Sequence, residues 1–113
     1  MRSFAANALG EIGSPEPVQR LLEIAENDPV LAVRLWAIEA LGMIGDKTVA
    51  ARLARLLDDP EPRTRALSAE ALGRIGATSS IDAIRQRRSG QRWGLRRRYS
   101  RALRTLGREL KRT

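Results

Sequence analysis

The 113-residue sequence predicts an all-α solenoid, a stack of about three and a half helical hairpins in one domain. Three observations carry that prediction. The hexapeptide Ala8-Leu9-Gly10-Glu11-Ile12-Gly13 returns as Ala40-Leu41-Gly42-Met43-Ile44-Gly45 and as Ala71-Leu72-Gly73-Arg74-Ile75-Gly76; a worn copy follows at Ala102-Leu103-Arg104-Thr105-Leu106-Gly107, so the period is 32, 31 and 31 residues. Apolar residues around each copy recur at helical spacing. Asp-Pro pairs, Asp28-Pro29 and Asp59-Pro60, punctuate the chain ahead of the second and third copies. A unit of this length cannot bury its apolar face alone, and stacking on its neighbours does so. The repeats fall at about 1–28, 29–59 and 60–90, with a terminal half-repeat at 91–113.

In the first repeat, Phe4, Ala5, Ala8, Leu9 and Ile12 form one face of a helix A, and Val18, Leu21, Leu22 and Ala25 one face of a helix B. Helix A of the second repeat spans about 29–44, with Val33, Trp36, Ala37, Ala40, Leu41 and Ile44 in register and Val30, Leu31, Leu35 and Ile38 widening the stripe. Gly45 ends it in the position where a left-handed residue closes a helix. Gly42 sits inside the helix at a propensity cost, which a close helix neighbour would justify. Helix B follows at about 48–57, with Ala50, Leu53, Ala54 and Leu57 inward, and Asp58-Asp59-Pro60-Glu61-Pro62 turns the chain into the third repeat. There Leu67, Ala71, Leu72 and Ile75 mark helix A, and Ile81 and Ile84 mark a helix B starting near Ser79. Its next core positions are Arg85 and Arg88, so it is expected to stop near Gln86. Ser89-Gly90-Gln91 replaces the Asp-Pro turn, and Trp93 precedes a last helix of about 95–111.

Composition narrows the chemistry. Cysteine and histidine are both absent, which removes disulfides, Cys/His metal sites, thiol nucleophiles and histidine acid–base catalysis. No catalytic residue, metal site or cofactor is expected. No apolar run is long enough to span a bilayer, and Met1-Arg2-Ser3-Phe4 leads into repeat sequence without a signal core, so a cytoplasmic protein is expected. The net charge of +8 is segregated: residues 1–84 balance at −3 and residues 85–113 at +11. Asp58, Asp59 and Glu61 form an acidic cluster, read as a helix-capping turn rather than a cation site because Asp28-Pro29 occupies the same place one repeat earlier. Trp36 aligns with Phe4 and Leu67 and is read as core.

The last helix carries most of the functional signal. Leu95, Tyr99, Ala102, Leu103, Leu106 and Leu110 make one apolar stripe, and Arg97, Arg101, Arg104 and Arg108 lie opposite it. The four arginines span about 16 Å of helix, enough to address several phosphates or an acidic groove. Arginine suits bidentate contact with either. A polar cap closes a solenoid equally well, but a cap does not need four like charges in line.

Asp-Pro, then Val-Arg or Thr-Arg, then Ala-Leu-Gly-x-Ile-Gly resembles HEAT repeats of the phycobilisome-lyase-like type over nearly the whole chain. The resemblance implies a right-handed superhelix of the armadillo and HEAT kind. It implies that Asp28 and Asp59 form a structural ladder with Arg34 and Arg65, broken where Gly90 replaces the Asp before Arg96. It also implies a concave face of helix-B residues that include Arg20, Glu23, Arg52, Arg55 and Gln86. The reading is a non-catalytic protein–protein interaction scaffold whose basic terminal helix meets an acidic protein partner. Nucleic-acid binding through the same arginines is the first alternative. A bilin lyase-like subunit, implied by the resemblance alone, is the second. A chain that opens and closes on a helix A also leaves room for end-to-end self-association or for continuation of a longer array.

Overall fold

The computed structural model describes residues 15–88 and 93–112, and the side chains of 17–88 and 96–111. The first helix A with its Phe4 face and hexapeptide, the Ser89-Gly90-Gln91 turn, and the side chains of Trp93 and Leu95 lie outside the described residues. The described residues are helical throughout, joined by short turns, with no strand among them. Helix α1 spans Pro15–Asn27 and α2 Leu31–Ile44. Helix α3 (Ala50–Arg55) is extended at both ends by single 3₁₀ turns, Lys47–Val49 and Leu56–Asp58. Helix α4 covers Pro62–Ile75, α5 covers Ile81–Arg88 and α6 covers Trp93–Arg112.

The A helices α2, α4 and α6 lie side by side, and the B helices α1, α3 and α5 pack onto them from one side. Between the layers runs one apolar core, which includes Leu21, Leu22, Ile38, Leu41, Leu53, Leu57, Leu72, Ile84, Tyr99 and Leu106. This is the stacked α-solenoid that the repeat period implied. Trp36 and Leu67 sit at its margin, partly buried and packed against it.

The hexapeptide explains how the A layer closes. A Cβ on Gly42 would stand 3.0 Å from Ala71 Cα, and one on Gly73 would stand 2.9 Å from Ala102 Cα. The third residue of the second and of the third hexapeptide therefore receives the first residue of the next, backbone almost against backbone. Gly45 and Gly76 end α2 and α4 with φ of 76° and 80°, the left-handed conformation expected of a closing glycine.

Local capping settles the acidic turns. Asp28 Oδ1 accepts from Val30 N at 2.9 Å, Asp59 Oδ2 from Glu61 N at 3.0 Å, and Glu61 Oε1 from Arg63 N at 3.3 Å, with Pro62 in the first turn of α4.

Three expectations need correction. Helix α5 does not stop near Gln86 but continues to Arg88: Arg85 turns to solvent, and Arg87 Nη1 donates back to the Ala83 carbonyl at 2.9 Å. Its three terminal arginines also complement the helix dipole. Trp93 is the first residue of α6 rather than its predecessor. Leu110, assigned to the buried stripe, is 54% exposed, because the last turn of α6 runs past the end of α4, whose closing Gly76 already faces Glu109.

Candidate partner-binding surface

Helix α6 is held by its inner face. Tyr99, Ala102 and Leu106 are buried, and Leu103 packs against the core from a half-buried position. Arg97, Arg101, Arg104 and Arg108 are all exposed on the opposite side, as the sequence placed them. Arg96, Arg97, Ser100, Arg101 and Arg104 enclose an open recess of about 440 Å³ along the helix.

The repeat register shows what this surface replaces. Thirty-one residues before Arg97, Ser100, Arg101, Arg104 and Arg108 stand Ala66, Ala69, Glu70, Gly73 and Ala77. All five are buried, four on α4 and Ala77 just past its closing Gly76, and of these Gly73 and Glu70 meet α6 directly. The arginine row thus occupies the flank that on α4 accepts the next helix. Arg104 stands at the glycine position itself.

One acid lies beside the inner edge of the row, close to Arg101 alone of its members. The Glu70 side chain, 11% exposed, accepts from Arg98 Nη1 at 2.6 Å and Arg74 Nη2 at 3.4 Å, and Arg101 Nη1 lies 3.9 Å away. Three guanidinium groups around one carboxylate leave a positive excess, and the side chains of Arg74, Arg98 and Arg101 remain 43–67% exposed. Arg97, Arg104 and Arg108 form no ion pair among the described residues. Sequence reading missed Glu70, although Glu-Ala-Leu-Gly occurs at both 39 and 70 and the same position on α6 is Arg101.

The B helices are joined by ion pairs that sequence reading also missed. Both oxygens of Glu26 on α1 accept from Arg52 on α3, and Arg52 Nη1 also reaches Gln19 at 3.3 Å. Asp58 accepts from Arg87 on α5 at 2.7 and 3.1 Å. Glu26 and Asp58 occupy the same register position, eighteen residues after the hexapeptide start, and that coincidence was the available signal. The hydrogen bond from Arg87 holds the Asp58 carboxyl below its ordinary pKa. Arg20, Glu23, Arg55 and Gln86 are exposed on the same three helices, while Arg52 is half-buried by its pairing.

Arg34 and Arg65 meet Asp28 and Asp59 through main-chain oxygens. Arg34 Nη1 donates to the Asp28 carbonyl at 2.6 Å, and Arg65 Nη1 to the Asp59 and Pro60 carbonyls at 2.7 and 3.1 Å. The carboxylates themselves cap the turns. Arg65 also lies beside the Tyr99 hydroxyl, which is buried without a well-aligned hydrogen bond. Burial raises the pKa of that phenol, and the charges of Arg65 and Arg87 oppose the rise.

No group of three or more Asp or Glu side chains among the described residues could hold a metal ion, and no described helix is long and apolar enough to cross a membrane. The chain is 32% identical over 84 residues to the bilin biosynthesis protein PecE of Mastigocladus laminosus, a match that covers 74% of this chain and 31% of that protein. It therefore spans about a third of the relative's length. A family model for HEAT repeats matches residues 1–41 and again 18–104. With the stacked hairpins and the glycine-to-alanine contacts between them, that match places the chain in the HEAT-repeat family.

Proposed function

We propose that this chain is a non-catalytic protein-interaction module that takes an acidic partner on the outer flank of α6. The observation that supports this most is the substitution of a stacking flank by an arginine row: Arg97 and Arg104 stand exposed where α4 carries the buried Ala66 and Gly73, and Arg108 is exposed where Ala77 is buried just past the end of α4. Burial against another repeat would strip water from these guanidinium groups at a cost of several kcal/mol each. An acidic surface would supply the carboxylates that such groups pair with bidentately.

The four-site variant Arg97→Glu, Arg101→Glu, Arg104→Glu, Arg108→Glu tests the proposal. Polyglutamate should bind the wild type and lose binding to the variant, with circular dichroism unchanged. Duplex DNA supplies the counter-test. Phosphate binding would show a log–log salt slope of about −0.9 per phosphate neutralised. Tight binding to random duplex at physiological salt, lost in the variant, would replace the protein partner with nucleic acid. A role in bilin biosynthesis has the likeness to PecE in its support and rests on a third of that protein. A change in the absorption spectrum of added bilin on mixing with the chain would favour it.

A further inference from the structure

We propose that the flank of α6 is a seat for one acidic α-helix of a partner protein, laid along α6 where another A helix of the solenoid would otherwise lie. This rests on the acidic-partner reading and adds the shape of the partner and its charge pattern.

The stack itself provides the template. Helix α4 lies along α2 and α6 along α4, each time with the third hexapeptide residue against the first of the next. On α6 that residue is Arg104. Since even a Cβ at Gly73 would come within 2.9 Å of Ala102 Cα, an arginine there excludes a further repeat in the register used by its predecessors. The flank nevertheless keeps the length of a helix face: Arg97, Ser100, Arg101, Arg104 and Arg108 follow one side of α6, and Arg96, Arg97, Ser100, Arg101 and Arg104 line an open recess along it. An occupant must stand off by the length of an arginine and present acids to the row.

The spacing of the row specifies those acids. Arg97, Arg101, Arg104 and Arg108 are separated by four, three and four residues, so they lie on one helix face. Glutamates at i, i+4, i+7 and i+11 of a facing helix reproduce the same intervals. The sequence four, three, four reads identically in both directions, so parallel and antiparallel helices match it equally. An extended strand rises about 3.3 Å per residue against 1.5 Å for a helix, and its alternating side chains cannot hold this register. Glu70 fixes Arg98 and draws on Arg101, which steadies the inner edge of the row before any partner arrives.

Two fluorescent alanine-rich 16-residue peptides of equal composition and equal measured helicity test this. One carries four Glu at i, i+4, i+7 and i+11, and the other spreads them around the helix. Fluorescence anisotropy should show the first binding at least about tenfold more tightly, a difference of about 1.4 kcal/mol. That preference should vanish in the Arg97→Gln, Arg101→Gln, Arg104→Gln, Arg108→Gln variant, with its fold checked by circular dichroism. Equal affinities of the wild type for the two peptides, with polyglutamate still bound, would overturn the helix seat and leave the acidic-partner reading standing. Failure of all three acidic ligands to bind would overturn both.

Discussion

At the scale of single residues, three glycines in the described helices make opposite predictions. Alanine is favoured over glycine in a helix by about 1 kcal/mol. At Gly107 the space for a Cβ is open, so Gly107→Ala should stabilise by up to about that amount. At Gly73 the new methyl would meet the backbone of Ala102 at 2.9 Å, and at Gly42 that of Ala71 at 3.0 Å. Forcing the helices apart there should outweigh the propensity gain, and Gly73→Ala should lose about 1–3 kcal/mol in chemical denaturation. Equal responses at Gly73 and Gly107 would argue against close A-helix stacking. Tyr99 offers a second test. Its hydroxyl is buried without a well-aligned hydrogen bond, so Tyr99→Phe should be neutral or stabilising by about 1 kcal/mol. The folded pKa of the phenol is raised, mainly by burial, so its favourable burial is fully present below the unfolded value of about 10 and is lost as pH rises through the folded value. Denaturation of the wild type between about pH 9 and 11 should show that loss, and Tyr99→Phe should show less of it. A stability loss in Tyr99→Phe at neutral pH would show instead that Arg65 holds the hydroxyl productively.

At the scale of elements, the sequence was most legible where one repeat explains itself. The closing glycines, the Asp-Pro caps and the inward faces of α1 to α4 depend on local spacing, and they are found where spacing put them, except for Val30, which caps α2 instead of widening its stripe and is 49% exposed. Two features needed the neighbouring helix. Glu70 reads as a surface acid on α4 alone, and only the approach of α6 shows that Arg98 and Arg101 converge on it. Helix α5 reads as breaking at Arg85 and Arg88, and only the acid at Asp58 on the preceding turn shows why its end is retained through Arg87. Leu110 failed for a related reason. A helical wheel assigns a face but not the length of the surface that covers it, and α6 outruns α4. The arginine row itself was legible as a stripe. Its identity as a stacking flank was also present in the sequence, in the third hexapeptide position that runs Gly10, Gly42, Gly73, Arg104, but it required knowing which side of the helix that glycine faces.

At the scale of the molecule, the charge segregation acquires a structural reason. Residues 1–84 balance at −3, and the helices described among them stack on one another, while the +11 of residues 85–113 includes the row on the flank where stacking would continue. A second copy approaching that flank would have to desolvate the row without a matching set of acids, so the wild type should not self-associate through α6. The corresponding gain-of-association variant is dictated by α4 and the Ala77 that follows its closing Gly76. Arg97→Ala, Ser100→Ala, Arg104→Gly and Arg108→Ala together copy Ala66, Ala69, Gly73 and Ala77 onto α6, and leave Arg101 in place beside Glu70. The inner face through Tyr99, Ala102 and Leu106 is untouched, so the helix should remain docked. What changes is its outer side, which becomes a contiguous small-residue and apolar flank of the kind that α4 buries. Exposed patches of that character promote association. Light scattering across a concentration series should therefore show the mass of the variant rising while that of the wild type stays constant. A variant that remains as dispersed as the wild type would mean that the arginines are not what keeps the flank open, and that their presence in the stacking position answers to a partner alone.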